Sequence, residues 1–183
     1  SFGGQSSNGR ATVRLGNANT SGTLRYTGSG GSAGSTNRLI QIGSGSGTGG
    51  AVLEQNGTGA VTFSGTGGFL NTQDTAATSP RSLTLSGTNT NANTISAAIR
   101  DNSASGAVSL VKSGAGLWLL SGTNTYTGTT TISQGVLAVA GTASLPGWNT
   151  AGRYSVESGA GLAFGNAFTD GDVATVLGTN NLA

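Results

Sequence analysis

Fourteen side chains carry charge in this chain of 183 residues: Lys112, seven arginines and six carboxylates. There is no histidine and no cysteine. The commonest general base and metal ligand is therefore missing, as are thiolate zinc sites and disulfides. Chemistry would fall to Glu54, Asp74, Asp101, Glu157, Asp170, Asp172 or Lys112. Glycoside hydrolysis takes two carboxylates about 5–10 Å apart on one face. A polysaccharide lyase takes clustered acids for calcium beside an Arg or Lys. The six acids are scattered, although a fold that stacks distant segments brings some together. Asp170 and Asp172 in "FTDGDVATV" resemble a calcium loop only faintly. An EF-hand needs a bidentate Glu at its twelfth position, and residue 181 is Asn. The expectation there is a solvated turn before a last strand. Lys112 has two functional readings, a cross-link or a lyase base. Its turn context favours a solvated turn residue. No catalytic residue, metal or cofactor is expected.

Arg14, Arg25 and Arg38 lie beside alternating apolar residues, in "VRL", "LRY" and "NRL". With those apolar neighbours facing in, Arg14 and Arg25 face out. Stacked on adjacent coils they would form a basic stripe for anionic glycans. The favoured alternative is ordinary surface arginine guarding strand edges. Nucleic acid is not an expected partner, because four N-terminal arginines with little aromatic interleaving make a weak footprint. Residues 1–53 hold four arginines and no acid, whereas the rest holds four bases and six acids.

The elements that would position these residues are strands. "ATVRLG" (11–16), "GTLRYTG" (22–28), "NRLIQIG" (37–43), "AVLEQ" (51–55) and "AVTFSG" (60–65) place apolar residues at alternate positions. So do "SLTLSG" (82–87), "AVSLVKSG" (107–114), "LWLLSG" (117–122), "TTTISQ" (129–134) and "GVLAVAG" (135–141). Gly, Asn and Ser clusters bound them as turns. No helix template of useful length fits. Charged residues are only 8% of the chain, and 34 residues are glycine. Solubility falls to Ser, Thr, Asn and Gly.

The text repeats. "NGTGAVTFSGTG" (56–67) aligns with "SGAGLWLLSGTN" (113–124), with Gly57 falling on Gly114. "LSGTNT" occurs at Leu85–Thr90 and again at Leu120–Thr125, and "SGAGLAF" (158–164) repeats "SGAGLWL" (113–119). Same-direction repeats of strand and turn indicate a solenoid. The predicted fold is all-β: a right-handed parallel β-helix of short strands, with about 20–25 residues per coil and about seven to nine coils. Val61 with Phe63, Leu83 with Leu85, and Leu137 with Val139 are the predicted inward pairs. Asn89 and Asn124 are candidate rungs of an Asn ladder. Trp118 is left open between an inward and an outward position.

At 110–139, "LVKSGAGLWLLSGTNTYTGTTTISQGVLAV" resembles the autotransporter-associated β-strand repeat, also called the passenger-associated transport repeat. The carrying residues are Lys112, Gly114, Gly116, Leu120, Ser121, Gly122, Asn124, Tyr126, Gly128, Ile132, Gly135 and Leu137. Leu117, Trp118 and Leu119 depart from the Thr–Leu alternation more usual there. "LPGWNTAGRYSVESGAGLAF" (145–164) looks like the coil that often follows this repeat. The resemblance implies a right-handed β-helix at a bacterial surface or outside the cell, without catalytic residues.

A single β-helix segment over 1–183, belonging to a longer chain or assembly, is therefore expected. Three readings follow in order: a stalk, surface-layer or fibre scaffold; an adhesin or glycan-binding module; a β-helix lyase or hydrolase. Expected partners are further β-helix coils, stacked head to tail, and surface glycans. No apolar run approaches the roughly 18 residues of a membrane helix. Neither end shows a helix-forming or strongly charged cap.

Overall fold

Alternation of apolar and small polar residues suits a strand with one face buried. A computed structural model of the chain describes residues 12–43, 47–66, 79–101 and 106–180. Arg10, Asp74 and the opening "SFGGQSSNG" lie outside these residues. In chain order the strands are β1 (Thr12–Leu15), β2 (Gly22–Tyr26), β3 (Gly34–Thr36), β4 (Leu39–Ile42), β5 (Ala51–Gln55), β6 (Val61–Phe63) and β7 (Arg81–Gly87). They continue as β8 (Asn93–Ile95), β9 (Val108–Lys112), β10 (Leu117–Leu120), β11 (Thr130–Ile132), β12 (Val136–Gly141), β13 (Tyr154–Val156) and β14 (Gly161–Ala167). A 3-10 turn at Thr142–Ser144 and one helix, α1 (Asp170–Asn180), complete the order.

Each of the ten strand signals meets a strand. β3, β8 and β13 carry too little apolar text to stand out. The strands form two six-stranded sheets, ordered β2-β5-β7-β9-β11-β13 and β3-β6-β8-β10-β12-β14, with β1 beside β4 in a small third sheet. Every pairing between these strands is parallel. Each strand thus pairs with its counterpart one coil along, the topology of a parallel β-helix. The first two coils carry three strands each, and later ones two.

The coils are fewer and less uniform than expected. Six strands per sheet mean six coils, about 24 Å from the first strand to the last. Leu53 pairs with Leu85, Leu83 with Leu110, Leu110 with Thr130 and Leu120 with Val139, so the coils shorten along the chain. Turn length is free to vary because only the strands must register. The repeat of 56–67 at 113–124 is a structural one: Phe63 pairs with Ile95, and Ile95 with Leu120, two coils on. The repeat of "LSGTNT" is not. Its copies sit at β7 and β10, in different sheets.

Inward side chains stack in columns. One runs Leu24, Leu53, Leu85, Lys112, Ile132, Val156 along the first sheet. In the second, Ile95, Leu120 and Val139 are fully buried between Phe63 and Phe164. Each buried leucine or isoleucine contributes about 1.5–3 kcal/mol of transfer free energy. Columns tolerate repeated apolar residues but not like charges, which repel from coil to coil.

Trp118 is settled by its register. It faces in at 1% exposure, stacks on Phe63 with centroids 6.2 Å apart, and donates from Nε1 to the Ser86 carbonyl at 3.0 Å.

The chain also contains a helix that the sequence reading does not provide for. Asp170 and Asp172 open α1 rather than a last strand. Thr169 caps it: its backbone N–H and its hydroxyl both donate to the Asp172 carboxylate, at 2.9 and 2.8 Å, and the Asp172 N–H donates back to the Thr169 hydroxyl at 3.2 Å. That reciprocal pair is a capping box, and "TDGD" at 169–172 is its sequence signature. The same bonds hold the Asp172 carboxyl below its ordinary range, through the Thr169 backbone first and its hydroxyl second.

Candidate functional site

The chemistry-bearing residues gather at the corners of the coils. After β5, β7, β9 and β11 the chain turns from the first sheet to the second. A parallel strand that ends inside a stack leaves carbonyls and N–H groups which need partners. Buried polar side chains supply them. Gln55 accepts the Gly57 N–H at 2.8 Å and donates to the Gly59 carbonyl. One coil on, Asn89 donates back to the Gly57 carbonyl and accepts the Asn91 N–H at 2.9 Å. Asn93 accepts the Val61 N–H of the preceding coil at 3.2 Å and donates to the Leu117 carbonyl of the next at 2.9 Å.

Lys112 completes this set. It is fully buried, which corrects the expectation of a solvated turn residue. Strand β9 alternates Val108, Leu110, Lys112 inward, so period two takes the lysine into the column between Leu85 and Ile132. Its ammonium donates to the carbonyls of Ser113 (3.0 Å), Gly114 (2.8 Å) and Gln134 (3.0 Å). Two successive turns are thereby clamped to one cation. Burial pulls the amine down from 10.5 to about 8, so it stays charged at neutral pH.

Glycine lets those turns approach. Gly114 has φ of 73°, and a Cβ on it would sit 2.7 Å from the Gly87 carbonyl oxygen of the coil below. Gly135 repeats the arrangement over Gly114. Gly116, Ser121, Gly122 and Gly128 donate their N–H groups to carbonyls of the preceding coil, those of Gly87, Ile95, Ile95 and Val108. Leu120, Ile132 and Leu137 are fully buried rungs.

Asn124 and Tyr126 serve the remaining corner. Asn124 accepts the Ile99 N–H at 2.9 Å and donates to the Ser144 carbonyl at 2.8 Å, so it spans three coils. Asn89 and Asn124 are not rungs of one ladder, because they occupy different corners and bind backbone rather than each other. The buried Tyr126 hydroxyl bonds Thr130 Oγ1 at 2.8 Å, and burial pushes its phenol up to about 12. Tyr154 donates to the Leu145 and Pro146 carbonyls, and its phenol is also pushed up by burial.

The arginines do not meet. Arg14 lies on β1 and Arg25 on β2, two sheets of one coil, and Arg38 precedes β4. Arg14 donates to Gln41 at 3.1 Å. Arg25 is exposed and pairs with Glu54 at 2.7 Å, which holds the Glu54 carboxyl below its ordinary range. Asp101 accepts the N–H groups of Val108 and Thr127 and the Thr127 hydroxyl. Among the described residues no group of three acids comes together to hold a metal. The described titratable groups inside the stack, Lys112, Tyr126 and Tyr154, bond to carbonyls or a hydroxyl. None faces a carboxylate, so no acid–base pair forms among them.

Stacked parallel coils with turn-closing polar groups define a β-solenoid repeat protein. Its strongest repeat can be placed: residues 110–139 match the passenger-associated-transport-repeat model, as the resemblance implies. The chain is also 37% identical over 136 residues to the adhesin BmaC autotransporter of Brucella suis biovar 1 (strain 1330). That match covers 74% of this chain and 4% of the relative. No solved structure matches the chain. No described helix is long and apolar enough to cross a membrane.

Proposed function

We propose that this chain is a non-catalytic β-helical segment of a bacterial surface passenger, a stalk that carries adhesive surface away from the cell. The observation behind the reading is the use of its buried polar groups. Gln55, Asn89, Asn93, Lys112 and Asn124 all bond backbone of their own or adjoining coils. Such groups stiffen a rod. The matched passenger repeat and the name of the adhesin relative support a place at the cell surface or outside the cell.

A second reading makes the chain itself adhesive through Arg14, Arg25 and Arg38, with anionic surface glycans as ligand. The adhesin relative favours it. The separation of the three arginines and the Arg25–Glu54 pair count against a shared stripe. The chain coated on beads and offered to an array of anionic glycans tests both. The stalk reading expects no retention above that of the Arg14→Ala, Arg25→Ala double variant. Retention that this variant loses would replace it with the glycan-binding reading. Turnover of an acidic polysaccharide by the purified chain would overturn both.

A further inference from the structure

The two ends of the described stack complement one another, and we infer that a second copy of this chain docks β13 and β14 against β2 and β3, continuing both sheets head to tail. The inference rests on the scaffold reading and adds the partner and the register.

At the first coil the core is open. A cavity of about 570 Å³ is lined by Val13, Leu24, Thr36, Arg38 and Ile40 among others. A second, of about 230 Å³, shares Leu24 and Thr36 and reaches Leu53, Phe63 and Trp118. Strands β2 and β3 end their sheets there, so one edge of each has no neighbour among the described strands. In the second sheet this end presents small residues, Gly34 beside Val61 and Thr36 beside Phe63. At the far end the same two inward columns finish in Leu162 and Phe164, paired with Leu137 and Val139 and only half-buried. Large apolar side chains thus stand at one end, and small residues over a cavity at the other.

Charge follows the same logic. One outward column of the first sheet begins Arg25, Glu54, Ser86. Carried one residue beyond the Leu85–Lys112–Ile132–Val156 pairings, it continues through Ser113 and Ser133 to Glu157. It therefore starts on a base and finishes on an exposed acid. In the continued register, Glu157 of a second copy stands beside Arg25 as Glu54 does within the chain. Arg25 then lies between two carboxylates. The contact joins two different surfaces, so it propagates rather than closing.

Sedimentation velocity of the purified chain over a concentration series, at low and high salt, tests this. End-to-end oligomers that weaken as salt rises are expected. Glu157→Arg should weaken association about tenfold, and adding Arg25→Glu should recover part of it. Thr36→Trp, which fills the cavity, should block association while the far-ultraviolet circular dichroism stays that of the parent. A chain monomeric across the whole series overturns the inference. So does association that neither Glu157→Arg nor Thr36→Trp weakens. Both outcomes leave the stalk reading to the glycan and turnover assays, which do not depend on assembly.

Discussion

Lys112 shows how a single side chain can satisfy two conflicting demands. Its four methylenes extend an aliphatic column while its ammonium meets three carbonyls that strand ends leave over. Lys112→Ala removes both contributions and should cost about 3–5 kcal/mol in urea unfolding. Lys112→Met restores the packing alone, so it should cost less than the alanine variant. The amine also sets a pH dependence. Its folded value of about 8 lies below the unfolded 10.5, so burial penalises the charged form. Below pH 8 both states are protonated and the penalty is complete. Between about 8 and 10.5 the unfolded chain binds the proton that the folded chain has released, so stability rises with pH. The carbonyls favour the ammonium and limit the gain. The melting temperature of the parent should climb by about 2–4 °C relative to Lys112→Met across that window. A flat difference would mean that the carbonyls outweigh burial.

At the scale of elements, the turns set the tolerances. A Cβ at Gly114 meets the Gly87 backbone of the neighbouring coil, and its φ is positive. Gly114→Ala should therefore cost about 2–3 kcal/mol by denaturant unfolding, well beyond the usual glycine-to-alanine effect. The helix behaves differently. Thr169→Ala removes the side-chain half of the capping box, and amide exchange should quicken in the first turn of α1 while the strands keep their protection. Strand existence and strand edges were legible because the period of two is local. The inward course of Lys112 was legible as well, in the alternation of Val108, Leu110 and Lys112; its charge argued the other way and prevailed. "TDGD" was likewise readable as a helix start. Asn93 carried no comparable signal, since its three-coil bonding depends on which segments lie above and below it.

The whole molecule is a stack, and its stability should be a sum over neighbours. Leu110 and its partner Thr130 lie one coil apart, so excising 110–129 removes one coil and joins Ser109 to Thr130 in register. Such a chain should keep its β circular dichroism and a cooperative melt at a lower temperature. Excising 120–129 instead removes half a coil and should abolish the cooperative melt, because every later strand would meet the wrong sheet.

The sequence was sufficient for the class of fold, because alternation and same-direction repeats are local text with one economical solution, parallel coils. It also carried the passenger-repeat resemblance at 110–139, which the family model matches. Only the tertiary structure decided the length of each coil, the sheet on which each repeat copy lies, the separation of Arg14, Arg25 and Arg38, and the burial of Trp118 and Lys112. Those depend on register between segments a whole coil apart, as Leu53 is from Leu85 and Leu120 from Val139. Register is set by packing and hydrogen bonding across coils, and turns of unequal length hide it from any reading along the chain.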